Sequence, residues 1–299
     1  MTSQNLDIRI GTLAGKGPRT AEYIAKILPH GFESFQINFW EKVDADLPRL
    51  AEELSGVLNG SGAIVSSLGI YGNPLGDEPK DEQTREGWRA CIEAAPRFGC
   101  DLVCGFTGRV RGKPVEESLP RLREVFEPLA RRAQELGVRL AFENCPMGGT
   151  WQSGDWNIAF HPLAWDLIFD ALPFDNIGLE WEPCHQLCQL IDPMPQLRQY
   201  GSRIFHVHGK DAKIYRDVVE REGVCGPHAF AFHKHPGLGD SNWTRIIEEL
   251  RKGGFRGSID IEGWHDDVYI GELEMTGQVH ALRHLKACRL DYVPNPDGF

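Results

Sequence analysis

The chain has 299 residues and a formal charge of −11, from 43 acidic against 32 basic side chains. That balance opposes a nucleic-acid partner or an anionic membrane surface, because phosphate binding needs a basic footprint. It suits a neutral substrate and a bound cation. No apolar run approaches the ~20 residues of a membrane span, and the start, MTSQNLDIRI, lacks the basic and apolar regions of a signal peptide. A cytoplasmic protein is expected.

Short apolar runs alternate with longer amphipathic ones. A strand at residues 7–13 precedes a helix opening near Pro18, with Ala21, Ile24 and Leu28 on one face. Proline is tolerated there because a first-turn N–H is unpaired anyway. A strand at 33–39 and a helix at 47–58 follow, ended by Asn59-Gly60-Ser61-Gly62. The third strand, 63–68, runs into a breaker-rich loop at 69–79. Trp88, Ile92, Ala95 and Phe98 recur at helical spacing over 81–98, and a strand follows at 102–106. The fourth helix has the clearest pattern, Leu119, Leu122, Phe126, Leu129, Ala133 and Leu136, with a kink expected at Pro128. Gly137 caps it before a strand at 138–143.

A loop at 144–157 and a helix at 162–171 lead to the sixth strand, in IGLEWEPCHQLCQLIDP from Ile177. Pro183 ends its ladder because it has no N–H to donate. A short helix at 194–200 and a strand at 203–208 precede a long connection, 209–242. A helix then buries Trp243, Ile246, Ile247 and Leu250; a strand at 257–262 and a helix at 271–289 complete the pattern, and the tail 291–299 reads as irregular. Eight strand–helix units without a linker predict an α/β fold, a single (β/α)8 TIM barrel over residues 1–299. An open doubly wound sheet is the alternative; it would leave the strand ends in a row rather than converging.

In a barrel the site lies at the C-terminal strand ends. There the fifth to eighth strands offer Glu143, Glu182, His208 and Glu262. Packed together without a cation the three carboxylates would repel strongly, so one divalent ion (Mn, Mg, Co or Zn, manganese favoured) is expected to be held by all four groups. Singly, each has a bland reading as a loop carboxylate, a core histidine or a solvated strand end. His206 is expected to face away from the axis. His228, His233 and His235 are expected to be exposed loop histidines. Cys184, His185 and Cys188 suggest zinc, but adjacent Cys184 and His185 make shared coordination awkward. The eight cysteines form no CxxC pair and are expected to be reduced thiols. Trp40, Tyr71, Trp151, Trp156 and Trp264 lie past strand ends or in rim loops, where aromatic faces stack on sugar rings. Lys210 and Arg216, after the seventh strand, are candidate substrate contacts. Phosphate-loop, dinucleotide-turn and G-x-S-x-G motifs are missing.

Six segments in order, YGNPLGD, LAFEN, IGLEWEPCHQL, IFHVHGKDAKI, PGLGDSNW and GSIDIEG, resemble motifs of the xylose-isomerase-like sugar phosphate isomerase/epimerase superfamily over residues 8–285. The resemblance implies that Glu143, Glu182, His208 and Glu262 are metal ligands and that His185 contacts substrate. Glu182 stands where the family usually has Asp, and Gly149 where the ketose 3-epimerase branch has a substrate-binding Glu. The implied chemistry is isomerisation or epimerisation of a small keto-sugar or keto-polyol through an enediolate, with Glu143 and Glu262 as acid and base. A lyase or dehydratase acting on an inosose or 3-keto-glycoside would use the same residues. A DNA-repair endonuclease would need histidines at the second and third strand ends, where Asn38 and Leu68 stand, and a non-catalytic sugar-binding barrel would need no metal. A small carbohydrate is the expected ligand, and the barrel's outer faces permit a homo-oligomer.

Overall fold

The computed structural model describes residues 7–290; the expected irregular tail lies outside them. The chain runs β1 (Arg9–Ala14), α1 (Thr20–Ile27), β2 (Ser34–Trp40), α2 (Leu47–Leu58), β3 (Ile64–Tyr71), α3 (Pro79–Ala94), β4 (Leu102–Gly105), α4 (Val115–Glu135), β5 (Arg139–Glu143) and α5 (Pro162–Ala171). It continues through β6 (Ile177–Trp181), α6 (Cys184–Cys188), α7 (Pro193–Tyr200), β7 (Ile204–Gly209), β8 (Asp211–Ile214), α8 (Arg216–Glu222), β9 (Ala231–Lys234), α9 (Trp243–Lys252), β10 (Ser258–Ile261) and α10 (Glu274–Arg289).

Eight strands close in the order β1-β10-β7-β6-β5-β4-β3-β2, all parallel. Closure between first and last is direct, with Arg9 opposite Ser258 and Thr12 opposite Ile261, so the open-sheet alternative is excluded. Helix starts follow local chemistry. Asp46 caps α2 by accepting from the Arg49 N–H, and Glu78 and Asp81 form a reciprocal capping box on α3. α4 remains one helix through Pro120 and Pro128. Its apolar stripe, with Trp88 of α3 and Phe142 of β5, forms an edge-to-face aromatic cluster.

Two expectations change. β3 extends three residues past Leu68 and ends at Tyr71, so Leu68 is buried in the barrel wall rather than at the rim. The connection 209–242 is also ordered: β8 and β9 pair antiparallel, with Asp211 opposite Lys234, and α8 fills the excursion between them. Asp211 anchors this hairpin, accepting from the Ala212 and Ser241 N–H groups and from Trp243 Nε1. Among the described residues no helix is long and apolar enough to cross a membrane.

Candidate active site

Side chains two apart on a strand share a face. On β6, β7 and β10 this places ionisable residues inward in two tiers: Glu180, His206 and Asp260 below; Glu182, His208 and Glu262 at the ends. All six are buried. His206 therefore faces the axis beside His208, contrary to expectation, because two is the strand period. Phe205 and Val207 take the other face.

The lower tier is a closed hydrogen-bond network. His206 Nδ1 lies 2.9 Å from Glu180 Oε1, and its Nε2 lies 2.8 Å from Asp260 Oδ2. Ser34 and Ser66 donate to Asp260. Gln36 Nε2 and the Tyr71 hydroxyl donate to Glu180 at 2.6 and 2.8 Å. Gly11 makes room for this tier, since a Cβ there would stand 2.2 Å from Asp260 Oδ1. Burial opposes charge on both His206 and Glu180. The acidic partners nevertheless raise the His206 pKa, and the two histidines lower that of Glu180.

The lower tier holds the upper one in place. His208 Nε2 contacts Gln36 Oε1 at 2.8 Å and Glu180 Oε1 at 3.0 Å, which turns Nδ1 toward the strand ends. There Nδ1 lies 3.5 Å from Glu143 Oε1 and 3.2 Å from Glu262 Oε2. Asn144 clamps the Glu182 backbone in both directions: its Oδ1 accepts from the Glu182 N–H at 2.7 Å and its Nδ2 donates to the Glu182 carbonyl at 2.9 Å. Asn157 Nδ2 donates to the Glu143 carbonyl.

Glu143, Glu182, His208 and Glu262 each bring a ligand atom within 4.8 Å of the others. Both Glu182 oxygens, His208 Nδ1 and Glu262 Oε2 are buried without a hydrogen-bond partner. Buried polar atoms are rarely left so, and an oxygen-rich set with one imidazole suits a divalent cation. Burial raises the Glu143 and Glu182 carboxyls, to about 7 and about 8, as expected of carboxylates crowded without their counter-ion. Burial would raise Glu262 too, but Lys210 and His208 together hold it well below the ordinary range. Lys210 Nζ sits 2.6 Å from Glu262 Oε1, on the oxygen opposite the unpartnered one.

Glu143, His208, Lys210 and Glu262 floor a cavity of about 660 Å³, with Glu182 buried behind them. Its walls include Asn38, Trp40, Tyr71, Phe106, His185 and Trp264. Trp40 and Trp264 are half-exposed at its mouth. Burial lowers the His185 imidazole to about 3, so it is neutral. Its Nε2 lies 2.6 Å from Glu182 Oε1 without hydrogen-bond alignment. Arg216 is exposed at the start of α8 and does not line the cavity. Trp151 is likewise outside it, donating to Glu116. Trp156 is tilted against Trp40 with ring centroids 5.6 Å apart.

Among the loop histidines only His228 is exposed. His235 is buried against Asp266, and His233 lines the cavity. Sequence reasoning also missed Asn73 and Arg109. Asn73 Nδ2 joins the Arg109 and Asp155 carbonyls, while the Arg109 guanidinium donates to the carbonyls of Lys113, Thr150 and Trp151. Together they tie the rim loops after β3, β4 and β5. The YGNPL motif marked Asn73; nothing local marked Arg109.

The sequence matches the family described as xylose isomerase-like TIM barrel over residues 24–288. The chain belongs to that family. An uncharacterized protein of Bacillus subtilis (strain 168), YfiH, is 23% identical over 244 residues, covering 71% of this chain and 74% of the relative. The fold of this family member is similar to that of a D-psicose 3-epimerase from Clostridium cellulolyticum solved with D-tagatose. There the TM-score is 0.69 at 15% identity, covering 94% of this chain and 99% of the other. It is also similar to apo 3-keto-D-glucoside 4-epimerase, YcjR, from E. coli, with a TM-score of 0.67 at 15% identity over 94% and 100% of the two chains.

Proposed function

We propose that this barrel is a divalent-metal-dependent isomerase or epimerase of a small keto-sugar or keto-polyol. Four converging ligand groups, three of them with unpartnered buried atoms, beside a cavity in the volume range of small-molecule sites, carry this reading. That the two similar structures are of epimerases supports it. Glu143, Glu182, His208 and Glu262 would hold the ion, with manganese favoured. When bound, such an ion supplies Lewis-acid polarisation of a carbonyl and its neighbouring hydroxyl.

The chain's own groups do the rest. Glu143 and Glu262 stand on non-adjacent strands, β5 and β10, on either side of His208. One removes the proton from the carbon next to the carbonyl and the other returns it. Lys210 tells them apart, because only Glu262 has an ammonium partner. His185, neutral and lining the cavity, contacts a substrate hydroxyl. Trp40 and Trp264 cover the apolar face of the ring.

Proton NMR in D₂O tests this with metal-loaded protein and a panel of ketoses, inososes and 3-keto-glucosides. Deuterium at a carbon beside the carbonyl, with a new epimer or isomer, is the expected result. Deuterium with a dehydrated or cleaved product would make the protein a lyase. Full metal occupancy with no exchange on any compound would refute the isomerase reading for these substrate classes.

A further inference from the structure

A second cluster of ligand atoms stands on the cavity wall, beyond His185 from the carboxylates. Cys184, Cys188 and His233 each place a sulfur or ring nitrogen within 4.8 Å of the other two. The two cysteines lie four residues apart on α6, so one helical face presents both. His233 comes from β9 of the hairpin, which packs on α6 through Cys184, Ala212 and Ile214. Cys188 and His233 line the cavity, whereas Cys184 is fully buried. His185 separates this cluster from the carboxylates: its ring centroid is 5.2 Å from that of His233, and its Nε2 faces Glu182.

Two features suit this cluster to a metal. His233 Nδ1 is buried with no hydrogen-bond partner. Two sulfurs and one imidazole select softer ions than three carboxylates do. A Cys₂His set with one remaining position is also a known zinc ligand pattern.

We propose that Cys184, Cys188 and His233 form a second, thiolate-rich metal site that takes Zn²⁺, distinct from the carboxylate site and joining α6 to the β8–β9 hairpin. Zn²⁺ uptake would displace the thiol protons of Cys184 and Cys188 into solvent, leaving both sulfurs as thiolates.

Cobalt reads the two sites separately, because only sulfur ligands give an intense near-ultraviolet charge-transfer band. Full-length, metal-stripped protein is titrated with Co²⁺ under a non-thiol reductant, and zinc stoichiometry is measured by elemental analysis. The wild type is expected to show the band and to bind two zinc ions per chain. Cys188→Ser and His233→Asn, which alter different elements, are each expected to lose the band and one zinc ion. Glu182→Gln is expected to keep the band, so failure of the carboxylate site would be seen separately. No band in the wild type, or a band persisting unchanged in Cys188→Ser, would overturn the proposal; the latter would point to Cys145, which lies beside Glu143 and His185.

Discussion

At the proposed metal site Lys210 would compete with a cation for Glu262, and Lys210→Met tests that competition. Lys210 is 2% exposed, and its ammonium is 2.6 Å from Glu262 Oε1. At an effective dielectric of about 20 the gross attraction is about 6 kcal/mol. Desolvation offsets part of it, and removing one partner of a buried pair typically costs about 3–5 kcal/mol. In chelator the variant should lose that amount, a melting-temperature drop of about 5–8 °C for a domain of this size. A divalent ion beside Glu262 supplies the missing positive charge, so the loss in saturating Mn²⁺ should be smaller by about 2 kcal/mol. Linkage then fixes a second observable: the variant must bind Mn²⁺ about 30-fold more tightly. Urea melts with chelator and with Mn²⁺, together with calorimetric Mn²⁺ titration, check both. Equal losses in the two melts, or unchanged affinity, would refute the competition.

Glu143→Gln should keep the fold and lower turnover about 10²–10⁴-fold, the usual contribution of a positioned acid or base; wild-type-like turnover in the productive assay would remove the two-carboxylate scheme. Glu180→Gln, which weakens the support beneath His208, should weaken metal binding about 10–100-fold, measured by competition with a metallochromic chelator; unchanged affinity would make the lower tier irrelevant to the site. Glu143 and Glu182, pushed up to about 7 and about 8, hold protons that an incoming cation must displace. Metal affinity should therefore fall as pH falls through about 8 and then 7, by about tenfold to a hundredfold per pH unit below 7 for one or two displaced protons. A flat profile between pH 6 and 8 would show that the cation displaces no proton from either carboxyl in this range.

The barrel and four of its strand-end groups were legible because they rest on local signals. Alternating elements gave the architecture, and Glu143, Glu182, His208 and Glu262 each stood where a strand had to stop. The lower tier was equally legible and went unread: Glu180/Glu182, His206/His208 and Asp260/Glu262 are three i, i+2 pairs, and strand geometry puts both members of each on one face. The β8–β9 hairpin was hidden by its setting. Its strands are four residues each, and a helix between them breaks the usual hairpin signature. Arg216 suggested a substrate contact only by following β7 in sequence, and the hairpin carries it away from the cavity. Cys184, Cys188 and His233 could not be grouped without the fold, because α6 and β9 meet only in space.

The two tiers also show why the carboxylate cluster implies a cation while the network below it does not. In the lower tier Glu180 and Asp260 share His206 between them, and hydroxyl and amide donors take up further oxygens. In the upper tier Glu143, Glu182 and Glu262 have His208, Lys210 and His185 near them, and both oxygens of Glu182 lack a hydrogen-bond donor. The barrel thus leaves its charge deficit at the open strand ends, where an ion can enter from the cavity, rather than at the sealed centre. Because Glu182 is the carboxylate with both oxygens buried and unpartnered, Glu182→Gln should nearly abolish occupancy of the carboxylate site, whereas Glu143→Gln should leave it measurable. The reverse order, read by metal content after gel filtration, would place the ion on the Glu143 side of His208.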